Sequence, residues 1–97
     1  MSTVEGYIGI AKKARKVVSG ASLMDSVRQK KVALVLIAAD ASDRTRKQFT
    51  DKCITYQIPC LIWGTVATIS SASGMNMRVA IGISDHGLAN SIREYLK

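Results

Sequence analysis

The residues best placed to do chemistry are four cations just before a break in the chain. They are Lys12, Lys13, Arg15 and Lys16. Ser19-Gly20 follows three residues later and predicts the start of a helix. The first backbone N–H groups of a helix are unpaired, and the helix dipole adds about half a positive charge there. Such amides and nearby cations bind phosphate groups, so this segment is a candidate site for a polyanion.

Other chemically capable residues do not form a catalytic or metal-binding group. His86 is the only histidine, so paired-His metal sites are excluded. Asp40 and Asp43 have the spacing of a turn followed by a helix cap, which leaves a divalent-cation site as the weaker alternative. Cys53 and Cys60 match neither a CxxC pair nor a zinc site and are expected to be small buried hydrophobic residues. We predict no enzyme activity, no cofactor and no metal. A protein that binds a small phosphate compound, or an enzyme that acts on one, ranks third, after the two functions given at the end of this section.

Length and charge restrict the class of protein further. The chain has 97 residues, and 47% of them are hydrophobic, which is typical of one folded domain rather than a disordered tail. Its net charge is +7, and residues 1–52 carry eleven basic and five acidic side chains, whereas residues 53–97 carry three and two. We therefore expect a single domain over 1–97 whose N-terminal half favours nucleic acid or an acidic membrane surface.

Hydropathy argues against a membrane protein. The longest apolar run, Val32–Ala39, is far shorter than the roughly 20 residues that cross a bilayer. The first residues, Met1 to Gly6, lack the basic start, apolar stretch and cleavage site of a secretory signal. We expect a cytoplasmic protein that does not bind membranes.

Hydrophobic spacing predicts helices that alternate with strands. The strands are predicted at Val17-Val18, Val32–Ala39, Cys60–Trp63 and Arg78–Ile83. The helices are predicted from Tyr7 to Lys16, from Ser19-Gly20 to Lys30-Lys31, between Asp43 and Pro59, over Val66–Ser73, and from Ser84 or Asp85 to Leu96. The alternation indicates an α/β fold with a largely parallel or mixed sheet between helices.

The aromatic residues bear on the kind of nucleic acid. They are Tyr7, Phe49, Tyr56, Trp63 and Tyr95. The three tyrosines fall at core-facing or flanking helical positions, Phe49 on an apolar stripe and Trp63 in a strand. Tyr95 is predicted to face inward with Leu88, Ile92 and Leu96 on the last helix. Proteins that read single strands on a sheet need an exposed stacking platform. The pattern therefore favours structured, double-stranded or kinked RNA.

Several segments, taken in order, resemble one known family. They are Ile8–Gly20, Val35–Ser42, Asp51–Cys53, Ile58–Cys60 and Ile69–Gly74. Over about residues 6–96, these segments are similar to the ribosomal-protein L-seven-Ae / L-thirty-e superfamily, in particular its bacterial YlxQ-type members. The resemblance implies a three-layer α/β/α sandwich with a central mixed, mostly parallel four-stranded sheet. It also implies binding to kink-turn RNA, a sharply bent duplex with tandem sheared G·A pairs.

The resemblance also assigns roles to individual positions. Gly20 matches the family glycine before the RNA-contacting helix, and the second contact loop corresponds to Gly74, Met75 and Asn76. Ser70 and Ser71 replace the Gly-Lys often found before this loop, and three positions of the RNA-contacting helix also depart from the family pattern. Ser22 stands where Asn or Lys is common, Leu23 where Glu or Gln is common, and Ser26 where Lys is usual. Each lost contact would reduce the free energy of RNA binding by about 1–3 kcal/mol. The spacing of Leu23 with Val27 fits a position in the hydrophobic core.

The sequence therefore predicts a small RNA-binding protein, similar to ribosomal proteins, that recognises kink-turn or similarly bent RNA. The predicted RNA-binding residues are Lys12, Lys13, Arg15, Lys16, Ser19, Gly20, Ser22, Lys30, Gly74, Met75, Asn76 and Arg78. Its expected partners are structured RNA, such as ribosomal RNA, and the ribosome, and we expect a monomer. The alternative is a protein-interaction module on the same fold, which the departures at Ser22, Leu23 and Ser26 favour.

Overall fold

Residues 3–74 and 77–96, the part of the chain that the computed structural model describes, form five helices and four strands. The helices are α1 (Val4–Lys13), α2 (Ala21–Arg28), α3 (Asp43–Thr55), α4 (Val66–Ser73) and α5 (His86–Tyr95). The strands are β1 (Val17–Ser19), β2 (Leu34–Ile37), β3 (Cys60–Ile62) and β4 (Ala80–Ile83). Each element lies where the hydrophobic spacing predicts one, although β2, β3 and β4 are shorter than the apolar runs that predicted them.

The four strands form one mixed sheet in the order β1-β4-β2-β3. The expectation that this sheet is mostly parallel is wrong, because only β2 and β3 are parallel, whereas β4 runs antiparallel to both β1 and β2. After α4 the chain returns to the end of the sheet where β2 finishes, and the amide of Ala38 donates to the carbonyl of Val79 (2.8 Å). Since β4 starts where β2 ends, β4 must run against it. Burial of both faces of a strand does not encode its direction.

Helices cover both faces of the sheet. α1 packs against α4 and α5, and α2 packs against α3. The strand β2 lies between them and all four of its residues are buried. This arrangement confirms the expected α/β/α sandwich. Among the described residues, no helix combines the length and the apolar character needed to span a bilayer.

Gly82 allows α2 to approach the sheet closely. A β-carbon at this position would lie 2.8 Å from Cδ1 of Leu23 and 2.8 Å from Cγ1 of Val32, which is closer than two carbon atoms can pack. Gly82 pairs with Val18 on one side and Val35 on the other, so the contact lies in the middle of the sheet. The glycine thus positions α2, whose first turn belongs to the candidate site.

One predicted core residue on α5 is not in the core. Ile92 is buried, and Leu88 and Leu96 are half-buried against the core, as expected, but Tyr95 is 55% exposed. The inward face of α5 is set by Ala89 and Ile92, and Leu96 continues it one turn later. Tyr95 lies outside this face, so its ring reaches solvent.

Candidate nucleic-acid interface

The four cations singled out above, Lys12, Lys13, Arg15 and Lys16, form a unit here called the basic turn. α1 ends at Lys13, three residues before its predicted end. The amide of Lys16 donates to the carbonyl of Ala11 (2.7 Å), and the amide of Arg15 donates to the carbonyl of Lys12 (3.0 Å). Arg15 has a φ of 58°, the left-handed conformation that glycine usually supplies at this position. All four cationic side chains are exposed.

Lys12 also contacts the end of α4. A β-carbon on Gly74 would lie 1.8 Å from Nζ of Lys12 and 2.8 Å from its Cε, so the lysine side chain crosses directly over this glycine. Gly74 is the C-cap of α4 and has a φ of 68°. A cation at a helix C-terminus interacts favourably with the helix dipole. Lys12 therefore joins α1 to α4, and the predicted RNA-binding residue Gly74 lies beside the basic turn.

The backbone of the basic turn is fixed to the sheet. The carbonyl of Lys16 accepts hydrogen bonds from the amide of Ser84 (2.8 Å) and from its hydroxyl (3.2 Å). β1 then continues from Val17 to Ser19 and pairs with β4. The cations thus project from an anchored turn.

α2 starts differently from the other described helices. A side chain caps the first turn of the other four, through Thr3, Ser42, Thr65 and Asp85. The N-cap of α2 is Gly20, which has no side chain to supply such a cap. Its φ of 66° and ψ of −145° lie in a region that only glycine adopts readily. Gly20 is exposed, so solvent reaches the positive end of the α2 dipole, as the sequence predicts.

The three positions that differ from the family pattern lie in the first two turns of α2 and differ in their exposure. Ser22 is exposed, Ser26 is half-buried, and Leu23 is 1% exposed. Leu23 packs in the core together with Val27, which confirms the core position predicted from their spacing. Its side chain is therefore unable to reach a ligand, and Ser22 is the side chain that can hydrogen-bond from this turn.

Arg78 lies beside the start of α2 although 58 residues separate it from Gly20. A β-carbon on Gly20 would lie 3.5 Å from Nη1 of Arg78 and 3.9 Å from its Cζ. The pairing of Ser19 with Ile81 brings the two segments together. Nε of Arg78 is buried without a hydrogen-bond partner among the described residues. The guanidinium therefore places a permanent positive charge at the helix start.

One contact that sequence reasoning missed fixes Arg78. The hydroxyl of Ser70, on α4, accepts a hydrogen bond from the backbone amide of Arg78 (2.8 Å). The eight-residue separation crosses a loop, so no periodic pattern could have indicated it. Met77, which no sequence pattern indicated, is 82% exposed with a φ of 53°. It offers an apolar side chain next to Arg78.

The predicted RNA-binding residues fall into separate groups rather than one. The strand β1 lies between Lys16 and Gly20, and at about 3.3 Å per residue these two positions are about 13 Å apart. The basic turn therefore lies at one end of β1, and Gly20, Ser22 and Arg78 lie at the other. Lys30 follows the C-terminus of α2, about 12 Å along the helix from Gly20. Met75 and Asn76 lie outside the described residues.

The left-handed backbone at Arg15 gives a test of its role. We expect Arg15→Gly to stabilise the protein by about 1 kcal/mol, because glycine adopts a positive φ without steric cost. The same substitution should weaken binding to a polyanion several-fold, because one exposed cation is lost. Chemical denaturation measures the first effect and an RNA titration measures the second.

Gln57→Gly is the matched control for this prediction. Gln57 has a φ of 59° in the equivalent turn after α3, where its amide donates to the carbonyl of Ile54 (3.2 Å). It should gain similar stability and leave polyanion binding unchanged. A loss of stability in Arg15→Gly would contradict the backbone argument, and equal RNA binding by the two variants would contradict a ligand-binding role for Arg15.

Comparison with known proteins gives relatives over nearly the whole chain. The model of the Ribosomal protein L7Ae/L30e/S12e/Gadd45 family matches residues 2–92. The chain is 38% identical over 95 residues to the RNA-binding protein YlxQ of Bacillus subtilis (strain 168), with 95% of each chain covered. It is 34% identical over 91 residues to the RNA-binding protein YlxQ of Enterococcus faecium, which covers 93% of this chain and 87% of the relative.

Solved structures show the same fold. A protein with unknown function from Bacillus halodurans C superposes with a TM-score of 0.92 at 30% identity, covering 99% of this chain and 98% of the other. The Giardia lamblia 15.5kD RNA binding protein superposes with a TM-score of 0.79 at 21% identity, covering 96% of this chain and 81% of the other. Both agree with the α/β/α architecture described above.

Proposed function

The chain belongs to the ribosomal protein L7Ae/L30e/S12e/Gadd45 family, and from this premise we propose that it binds structured RNA and catalyses no reaction. Two of its relatives carry the name RNA-binding protein. We further propose that the RNA is a kink-turn or a similarly bent duplex, and that one domain over 1–97 binds it. We expect the protein to act as a monomer in the cytoplasm, on ribosomal RNA or another structured RNA and in association with the ribosome.

The observation that carries the proposal is the start of α2. An exposed glycine replaces the usual side-chain cap there, and the guanidinium of Arg78 lies against it. Backbone amides, the helix dipole and a guanidinium all favour a phosphate or a guanine edge at this point. Ser22 adds one hydroxyl that can donate and accept.

The separation of the two positive groups supports a bent RNA. The basic turn and the α2 start lie about 13 Å apart along β1, so they contact different phosphates. A duplex that bends across β1 can present one backbone segment to each group. Protein binding then stabilises the bent shape, which is recognition by deformability joined to a few base contacts. Exposed Met77 offers an apolar contact for a base unstacked at the bend.

A protein-interaction module on the same fold is the second candidate. Leu23 is buried and Ser26 is uncharged, so two positions that contact RNA in the family pattern have no suitable side chain here. If these contacts are needed, the same surface would serve a protein partner instead. This alternative predicts weak and unspecific RNA binding.

A salt titration separates the two candidates. Binding to RNA through about four to six phosphates should give a log–log slope of affinity against salt of about −3 to −5. The measurement uses a fluorescent kink-turn duplex and the full chain at a series of salt concentrations. A slope near zero would contradict RNA binding through this surface and favour the protein-interaction module.

A further inference from the structure

The two cysteines lie together where α3 ends and β3 begins. Cys53, in the last turn of α3, is fully buried, and Cys60, the first residue of β3, is partly exposed. The chain reverses between them through a turn in which the amide of Ile58 donates to the carbonyl of Cys53 (2.8 Å). This turn brings the two thiols into hydrogen-bonding contact. The expectation of two buried hydrophobic residues therefore holds for Cys53 and is wrong for Cys60.

The register of the sheet explains why the thiols meet. Cys60 pairs with Val35, which pairs in turn with Gly82. Directly paired residues share a face of the sheet, and the face of Gly82 is the one on which α2 lies, through Leu23. α3 packs beside α2. The thiol of Cys60 thus points toward α3, which carries Cys53.

The two sulfur atoms have different environments. The thiol of Cys53 donates a hydrogen bond to the sulfur of Cys60, and the hydroxyl of Thr50 donates a second one. These two donors lower the pKa of the Cys60 thiol, against the opposing effect of its partial burial. The contact with Cys60, together with burial, raises the pKa of Cys53, which stays a protonated thiol. A partly exposed cysteine with a lowered pKa, beside a buried protonated cysteine, matches a reactive residue and its resolving partner.

Small oxidants can reach Cys60. β3 is the outer strand of the sheet, at the opposite edge from β1. Cys60, the first residue of this strand, is itself partly exposed. The pair also lies away from the basic turn and from the α2 start, both of which adjoin β1.

We propose that Cys53 and Cys60 are a thiol oxidation site. Hydroperoxides oxidise the two thiols to a reversible intramolecular disulfide. The thiolate of Cys60 attacks one oxygen of hydrogen peroxide, the O–O bond breaks, and a sulfenic acid and hydroxide form. The sulfur of Cys53 then attacks the sulfenic sulfur, and the S–S bond forms as water leaves. The two thiols lose two electrons in total, and the peroxide is reduced to two waters. A dithiol reductant returns both thiols.

The test treats the full-length chain with hydrogen peroxide and counts free thiols after denaturation. We expect both thiols to disappear together, the mass to fall by two hydrogens before any oxygen is added to methionine, and dithiothreitol to restore both thiols. The product should remain monomeric on a non-reducing gel. Retention of both thiols, or a disulfide-linked dimer, would overturn the proposal.

Two variants test the order of the steps. Cys53→Ala should stop at a sulfenic acid on Cys60, which dimedone traps, whereas Cys60→Ala should give little dimedone adduct at the same peroxide dose. In the unmodified chain, iodoacetamide should alkylate Cys60 about ten-fold faster than Cys53. Circular dichroism confirms that each variant is folded. Faster labelling of Cys53 than of Cys60 would show that the assigned roles are wrong.

Discussion

Reversing two charges in the basic turn, with Lys13→Glu and Lys16→Glu together, is expected to weaken RNA binding about 100-fold at moderate salt. Both side chains are exposed and project from a turn that the sheet anchors. Each substitution removes one cation near a phosphate and places an anion there, so attraction becomes repulsion. Lys12 is left unchanged because it crosses over Gly74 and also stabilises the end of α4.

The measurement is a titration of labelled RNA across several salt concentrations, with unfolding followed in parallel. The slope of affinity against salt should become shallower by about two, and the free energy of unfolding should change by less than about 1 kcal/mol. Arg44→Glu with Lys52→Glu is the matched control. It makes the same change in net charge at exposed positions on α3. Equal losses in both double variants would show that only overall charge matters and would contradict a localised interface.

Gly20→Ala is expected to weaken RNA binding more than about ten-fold in the protein that remains folded, and to destabilise the fold by about 1–3 kcal/mol. The backbone at Gly20, with φ of 66° and ψ of −145°, is strained for any residue with a β-carbon. The new β-carbon would meet Arg78 only at ordinary van der Waals distance, so the strain is in the backbone and not in a clash. Relief of that strain must turn the first amides of α2 and shift them from Arg78.

Gly64→Ala is the control for backbone strain alone. Gly64 has a φ of 65°, and its added β-carbon would lie 3.5 Å from Cβ of Thr68, so the two sites are sterically alike. Gly64 lies between β3 and α4, away from the proposed interface. Denaturation should show comparable destabilisation in both variants, and the RNA titration should show a loss only for Gly20→Ala. Full RNA affinity in Gly20→Ala would mean that the start of α2 does not contact RNA.

The starts of α3 and α5 were predictable because their caps are local, whereas α1 starts at Val4, three residues before its predicted start at Tyr7. Ser42 and Asp85 lie directly before α3 and α5, and each side chain accepts a hydrogen bond from the first turn of its helix. Asp40 was interpreted as part of the same turn and cap, but its carboxylate accepts a hydrogen bond from the amide of Val66 (2.8 Å) at the start of α4. That longer connection depends on the parallel pairing of β2 and β3, which the sequence does not encode locally.

Helix ends were less predictable because the usual glycine signal is missing. Arg15, Lys30 and Gln57 all have positive φ in the turns that follow α1, α2 and α3. Long polar side chains at these positions look like a continuation of the helix. The predicted end of α1 at Lys16 is therefore three residues late. At α4, where Gly74 supplies the left-handed residue, the predicted end is correct.

The parts of the candidate site that the sequence could not predict are contacts between distant segments. The positions of Arg78 at Gly20 and of Lys12 at Gly74 follow from strand pairing and helix packing, which act over more than fifty residues. The uncapped start of α2, in contrast, could be predicted, because it depends only on which residue precedes the helix. Sequence reasoning thus found the cations and the helix start but not their arrangement on opposite ends of β1.

The most direct test of RNA recognition compares a kink-turn duplex with a fully paired duplex of equal length and charge, in a competition titration with the full-length protein. We predict that the kink-turn binds at least about ten-fold more tightly, which corresponds to about 1.4 kcal/mol. Equal affinity for the two duplexes would contradict recognition of bent RNA and leave only attraction between opposite charges.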